Sequence, residues 1–182
     1  MSRIALFAPL LALLVIAYCR ADPPPLRTVA TLDLARYAGL WYEIARYPNW
    51  FEADCVADIT AHYRRLEDGT IEVLNACREK DGGRNLARGV AKPVVEGDYT
   101  RLKVRFAPAA LSFLPFVWGD YQVIDLAPDY SWAVIGEPSR KYFWILAREP
   151  RLPGEKLAEL LGRAAGQGYD PQKVLRVPGG SQ

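Results

Sequence analysis

Apolar and polar residues alternate with period two along much of the chain from residue 40 onward, and turn signals punctuate the alternation. Leu40–Tyr47 is the first such run, and Pro48-Asn49 stops it. In residues 56–66, Ala57, Ile59, Ala61 and Tyr63 alternate with Asp58, Thr60, His62 and Arg64, which predicts one dry face and one wet face. Asp68-Gly69 is a hairpin turn signal, and Thr70–Arg78 returns with Ile71, Val73, Asn75 and Cys77 on one face. Asp81-Gly82-Gly83 turns the chain into residues 84–94, and Gly97-Asp98 turns it again. In residues 100–107, Leu102, Val104 and Phe106 oppose Arg101, Lys103 and Arg105. A Pro- and Phe-rich loop spans 108–117, and runs at 118–126, 131–137 and 141–148 bring the strand count to eight.

The last three runs are apolar on both faces, through Tyr121, Val123, Ile124, Trp132, Val134, Ile135, Phe143, Trp144, Ile145 and Leu146. A strand apolar on both faces needs cover on both sides. Leu157, Leu160, Leu161 and Ala164 follow at helical spacing and predict an amphipathic helix over about 154–166, ended by Gly166 and Gly168. Packed outside the late strands, it supplies the second cover. A ninth short strand is expected at 174–177. Closing eight antiparallel strands into a barrel removes exposed edges, although strand count and hairpins fit a sandwich equally.

Composition narrows the classes. The chain has 182 residues, 51% hydrophobic and 24% charged, which suits one globular domain. Its net charge of +2 provides no electrostatic footprint for nucleic acid. A single histidine, His62 on the wet face of its strand, argues against triads and metal centres, and no metal ligand set, phosphate-binding Gly loop or nucleophile elbow is present in the sequence. No catalytic residue and no cofactor are therefore expected. Arg3 precedes sixteen uncharged residues, Ile4 to Cys19, a pattern that reads as a secretory signal over 1–19 rather than a membrane span. A proline-rich spacer covers 20–31. Ile16-Ala17-Tyr18-Cys19 resembles a bacterial lipoprotein box with Cys19 as the lipidated residue; Tyr18 departs from the small residue usual there, and ordinary cleavage after Cys19 or Ala21 is the alternative. Export leaves Cys55 and Cys77, an even count for which a disulfide is the default in an oxidising compartment, with two free buried thiols as the other reading.

Three motifs stand in order: Gly39-Leu40-Trp41-Tyr42 at the first strand, Pro128-Asp129-Tyr130 between the sixth and seventh, and Trp144-Ile145-Leu146-Ala147-Arg148 closing the eighth. Asn49-Trp50-Phe51-Glu52 and Gly168-Tyr169-Asp170 accompany them. On these residues the chain resembles the lipocalin family, specifically the bacterial outer-membrane lipoprotein type, and is similar also to apolipoprotein D. Pro128 departs from the Thr usual in the middle motif. The resemblance covers about 32–178, leaving 179–182 as a tail. It implies an all-β fold: an eight-stranded antiparallel up-and-down β-barrel, the lipocalin calyx, with one C-terminal α-helix packed outside.

The resemblance also implies a structural cation–π pair between Trp41 and Arg148 at the closed end. Strand parity then turns Leu146, Trp144 and Tyr142 inward with Arg148, and Glu43, Ala45 and Tyr47 inward with Trp41. The ligand pocket of the family places Trp144 and Asn75 on the cavity wall, and alternation adds Val73, Tyr63, Val104 and Phe106. The expected ligand-binding set is thus Glu43, Tyr47, Tyr63, Val73, Asn75, Val104, Phe106, Tyr142 and Trp144. Each position is also compatible with plain barrel core. Trp50, Phe51, Phe113, Phe116 and Trp118 are expected near the mouth. Such a cavity suits an amphiphile, because each buried methylene contributes about 0.8 kcal/mol. The implied function is storage or transport of fatty acids, lysophospholipids or phospholipids for maintenance of the bacterial envelope. The protein would be lipid-anchored at the outer membrane and face the periplasm, or otherwise be soluble in the periplasm or secreted. A homodimer is left open. Two other classes stay open: an enzyme using Cys77 as a cavity nucleophile, and a protein-binding module using the aromatic rim.

Overall fold

The computed structural model describes residues 24–178. Cys19, the signal segment and residues 179–182 lie outside the described residues, as does the start of the spacer. A one-turn helix α1 (Leu34–Tyr37) precedes β1 (Gly39–Arg46), β2 (Cys55–Arg65), β3 (Ile71–Glu79), β4 (Arg84–Val95), β5 (Asp98–Arg105), β6 (Gly119–Leu126), β7 (Trp132–Gly136) and β8 (Phe143–Ala147). Helix α2 (Gly154–Ala165) and a short β9 (Leu175–Arg176) complete the order. Each of β2 to β7 pairs antiparallel with the next, and β1 pairs with both β2 and β8. The sheet therefore closes into the expected eight-stranded barrel rather than a sandwich, and β9 adds to β1 at Ala45–Arg46.

Closure produces two apolar cores, one on each side of the late strands. Inside the barrel, Trp41, Tyr63, Ile71, Val73, Leu102, Val123, Ile135 and Leu146 pack with Leu34 and Tyr37 of α1. Outside it, Leu157, Leu160 and Ala164 of α2 pack on Ile124, Trp132, Val134, Phe143 and Ile145. This second core explains why the late strands are apolar on both faces. Gly136 permits the close approach there: a Cβ at that position would overlap the Tyr169 hydroxyl.

Helix α1 has no counterpart among the elements predicted from the sequence. Asp33 caps it, its Oδ1 accepting from Ala35 N at 2.8 Å and Arg36 N at 3.3 Å. The helix lies across one end of the barrel. Gly39, which follows it, takes φ +96°, a conformation that glycine adopts without strain. Above this end, Trp41 is fully buried and Arg148 lies over its indole at 3.8 Å, so the expected cation–π pair is present. The Arg148 guanidinium also donates to the Leu40 carbonyl at 2.7 Å and to those of Arg36, Tyr37 and Ala38 at 2.6, 3.1 and 2.9 Å. One fork thus gathers carbonyls that a helix C-terminus leaves without partners.

Two facing expectations need correction. The register of β1 against β8 shifts between Glu43 and Ala45. This bulge reverses parity along β1, so Ile44, Ala45 and Tyr47 join the outer core while Arg46 turns back toward Glu43. Tyr47 therefore packs on Phe143 and Tyr169, and its hydroxyl donates to the Asp170 carbonyl at 2.9 Å. Arg105, expected on the wet face, is buried. Trp118, brought in by the 108–117 loop, lies 5.2 Å from its guanidinium and covers it.

Candidate functional site

Opposite α1, the connections β1–β2, β3–β4, β5–β6 and β7–β8 surround the other end of the barrel. That end opens into a cavity of about 650 Å³ that runs down between the sheet walls. This size is ordinary for a site that holds one small organic molecule. Glu43, Tyr63, Val73, Asn75, Val104, Phe106, Tyr142 and Trp144 all line it, as the sequence predicts. Tyr47 does not, because of the β1 bulge. Trp50, Phe51, Phe116 and Trp118 line the mouth as expected, whereas Phe113 is exposed on its loop away from the lining.

The floor is aromatic and internally satisfied. The Tyr121 hydroxyl lies 2.6 Å from that of Tyr37 and 3.1 Å from that of Tyr63. Burial pushes the Tyr63 phenol up to about 12 and the other two well above their ordinary value, so all three stay neutral. The walls are mostly apolar, through Ile59, Ala61, Val73, Val104, Ile135 and Leu146. Thr60, Asn75 and Asn85 bring polar groups into the walls, and the buried Oδ1 of Asn75 has no hydrogen-bond partner.

Below the mouth, aromatic rings and carboxylates meet. Tyr142 and Trp144 stack with centroids 6.0 Å apart, and Phe51 packs on both at 5.6 and 6.3 Å. The Trp144 indole donates to Glu52 Oε2 at 3.2 Å. Arg46 pairs with Glu43 at 2.8 Å and reaches Glu52 at 3.7 Å. Burial, followed by the neighbouring Glu52, pushes the Glu43 carboxyl up to about 8 despite Arg46. Four acidic residues, Glu43, Glu52, Asp120 and Glu137, border the cavity, and no Lys, Arg or His borders it among the described residues.

Cys55 and Cys77 form the expected disulfide, with Cα atoms 5.6 Å apart, in the cavity wall. It ties the start of β2 to the end of β3 near the mouth. His62 is exposed, away from the cavity. Sequence reasoning missed Glu52, Tyr121, Asp120 and Glu137 as cavity residues. Tyr121 was recoverable, since it shares parity with the inward-facing Val123. Glu52 and Glu137 lie outside the strands, where alternation does not indicate facing.

Comparison with known proteins agrees with this architecture. The model of the lipocalin-like domain matches residues 32–179. Temperature-induced lipocalin-1 of Arabidopsis thaliana is 40% identical over 155 residues, 84% of this chain and 82% of that protein. The outer membrane lipoprotein Blc of Escherichia coli K12 is 35% identical over 181 residues, covering 97% of each chain. Mouse apolipoprotein D is 31% identical over 160 residues, 85% of this chain and 80% of that protein. Among solved structures, insecticyanin from the tobacco hornworm Manduca sexta superposes with a TM-score of 0.65 at 19% identity, covering 85% of each chain, a likeness of fold.

Proposed function

The chain belongs to the lipocalin family, and from that membership we propose that it binds a single long-chain amphiphile, a fatty acid or a (lyso)phospholipid, and carries or stores it for maintenance of a bacterial envelope. The observation that carries this reading is the cavity: about 650 Å³, open at one end, apolar along its walls and aromatic at its floor. An alkyl chain gains about 0.8 kcal/mol for each methylene buried there. The polar head then rests near the mouth, where the cavity's carboxylates and indole nitrogen gather. We further propose that the protein is exported, is anchored by a lipid on Cys19 and faces the periplasm. Supporting this are the lipoprotein-like box at 16–19 and the match to a protein described as an outer membrane lipoprotein over nearly its whole length.

Binding rather than catalysis is the proposed mode. The cavity cysteine that an enzyme would need, Cys77, is held in the disulfide with Cys55, and a disulfide sulfur is not a free thiolate nucleophile. Lipid extraction and mass spectrometry of protein purified from its own envelope test the reading. A stoichiometric long-chain lipid is expected. An empty cavity accompanied by a co-purifying protein would transfer the role to the aromatic rim and end the lipid proposal.

A further inference from the structure

The lipid-binding reading leaves the head group undefined, and the charges around the cavity define it. A free fatty acid ends in a carboxylate and needs a cation or several unused donors. The cavity borders Glu43, Glu52, Asp120 and Glu137, with no basic side chain among the described residues that line it. The cation nearest Glu43 and Glu52 is Arg46, and its two terminal nitrogens are turned to the protein's own acceptors. Nη1 bonds Glu43, and Nη2 donates to the carbonyls of Glu52 and Cys55 at 3.1 and 3.2 Å. Nε is buried without a hydrogen-bond partner, 3.7 Å from Glu52 Oε2, so its charge faces that carboxylate. Asp120 is paired with Lys103 at 2.7 Å, and the Glu137 carboxylate accepts from Ser139 and from the backbone of Lys141 and Tyr142. A carboxylate head beside Trp144 would meet Glu52 and Glu43; the cations Lys92 and Arg105 lie instead at Trp118, 4.3 and 5.2 Å from its ring.

A cationic head meets the opposite. The rings of Phe51, Tyr142 and Trp144 cluster beside Glu52, which the Trp144 indole touches directly. Aromatic faces joined to a carboxylate attract ammonium groups, quaternary ones included. Independently, Asn75 presents a buried acceptor oxygen with no partner in the same cavity, which suits the N–H of a primary ammonium head and not a carboxylate oxygen. We propose that this cavity selects amphiphiles whose head carries an ammonium group, held by Glu52 together with the Phe51–Tyr142–Trp144 ring cluster, and discriminates against free fatty acids. This rests on the amphiphile-binding reading above and sharpens it.

The test compares dodecyl amphiphiles that share one tail, used below their micelle-forming concentrations, by quenching of intrinsic tryptophan fluorescence and by calorimetry. Dodecyltrimethylammonium is expected to bind about ten-fold or more tightly than dodecanoate, with dodecanol between them. Glu52→Gln, which leaves Glu43 to partner Arg46, is expected to narrow that ratio to about two-fold or less. Dodecylphosphocholine identifies the source: binding as tight as that of the simple cation points to a phospholipid head, and weak binding points to a lone amine, both in keeping with an ammonium site. Dodecanoate binding as tightly as the cation would overturn the proposal while leaving the amphiphile reading intact. If dodecanol and both charged probes fail to bind, both readings fall.

Discussion

Arg148→Ala should be among the most destabilising single changes that leave the ligand cavity untouched. The side chain makes four hydrogen bonds to carbonyls of Arg36, Tyr37, Ala38 and Leu40 and lies 3.8 Å over the Trp41 ring. Trp41 Nε1 donates to the same Tyr37 carbonyl at 2.8 Å, so one side chain organises both α1 and the base of the barrel. Each charge-assisted bond contributes roughly 1.5–3 kcal/mol in isolation, and the cation–π contact roughly 0.5–2. These do not add fully, because they share one group and water can reach the partly exposed guanidinium once α1 loosens. A net loss of about 3–4 kcal/mol follows, equivalent to a fall in Tm of about 6–16 °C for a domain of this size. Urea and thermal unfolding followed by far-UV circular dichroism measure it. Arg148→Lys keeps a cation near Trp41 but cannot span four carbonyls, and should recover less than half. Amphiphile affinity should be unchanged in both variants, since the mouth lies at the other end. A loss below about 1 kcal/mol, or complete rescue by lysine, would show that the fork does not hold the base together.

Trp144→Arg should abolish binding of a fluorescent amphiphile by placing a cation among the rings and displacing the indole that touches Glu52, with a native circular dichroism spectrum; unchanged affinity would remove Trp144 from the site. Reducing the disulfide, or replacing Cys55 and Cys77 by Ser, should cost about 3 kcal/mol by the chain-entropy account for a sequence separation of 22, measured by urea unfolding; thiol titration of the native, unreduced domain should find neither sulfur reactive. The Glu43 carboxyl, at about 8 in the fold against 4.5 for an ordinary glutamate, binds its proton more tightly folded than unfolded. Its contribution is therefore fully present below about pH 4.5 and is lost as pH rises toward 8. Glu43→Gln should flatten this decline, so that its Tm relative to the parent's rises from pH 5 to pH 8; a relative fall across the same range would contradict a buried, proton-holding Glu43.

How far the sequence could be read depended on where regular pairing held. Strands β2, β3 and β5 announce their inward faces by alternation, and the structure places Ala61, Tyr63, Val73, Asn75 and Val104 along the cavity accordingly. The two-faced strands β7 and β8, joined to a later run of leucines at helical spacing, make the outer helix legible in the sequence. Alternation is a rule about an unbroken ladder, and each failure sits where the ladder breaks. In β1 a single register shift after Glu43 sends Tyr47 to the outer core and returns Arg46 to the carboxylates. Nothing local in Glu43-Ile44-Ala45-Arg46 marks that shift, because both parities place apolar residues in a core.

The same break connects fold to chemistry. Without the bulge, regular parity would carry Arg46 to the outer face, and Glu43 would stand in the cavity without its guanidinium. With it, Arg46 faces Glu43 and Glu52 from within the wall. A buried carboxylate without a partner is strongly unfavourable, and removing one member of such a pair commonly costs 3–5 kcal/mol. The irregularity is therefore what allows two acids to persist beside an apolar chamber. It does so with Arg46 engaged, which keeps that cation from serving a ligand's carboxylate. The acidic character of the cavity thus follows from a backbone feature, and this is why periodicity located the cavity wall while leaving the preference of the cavity hidden.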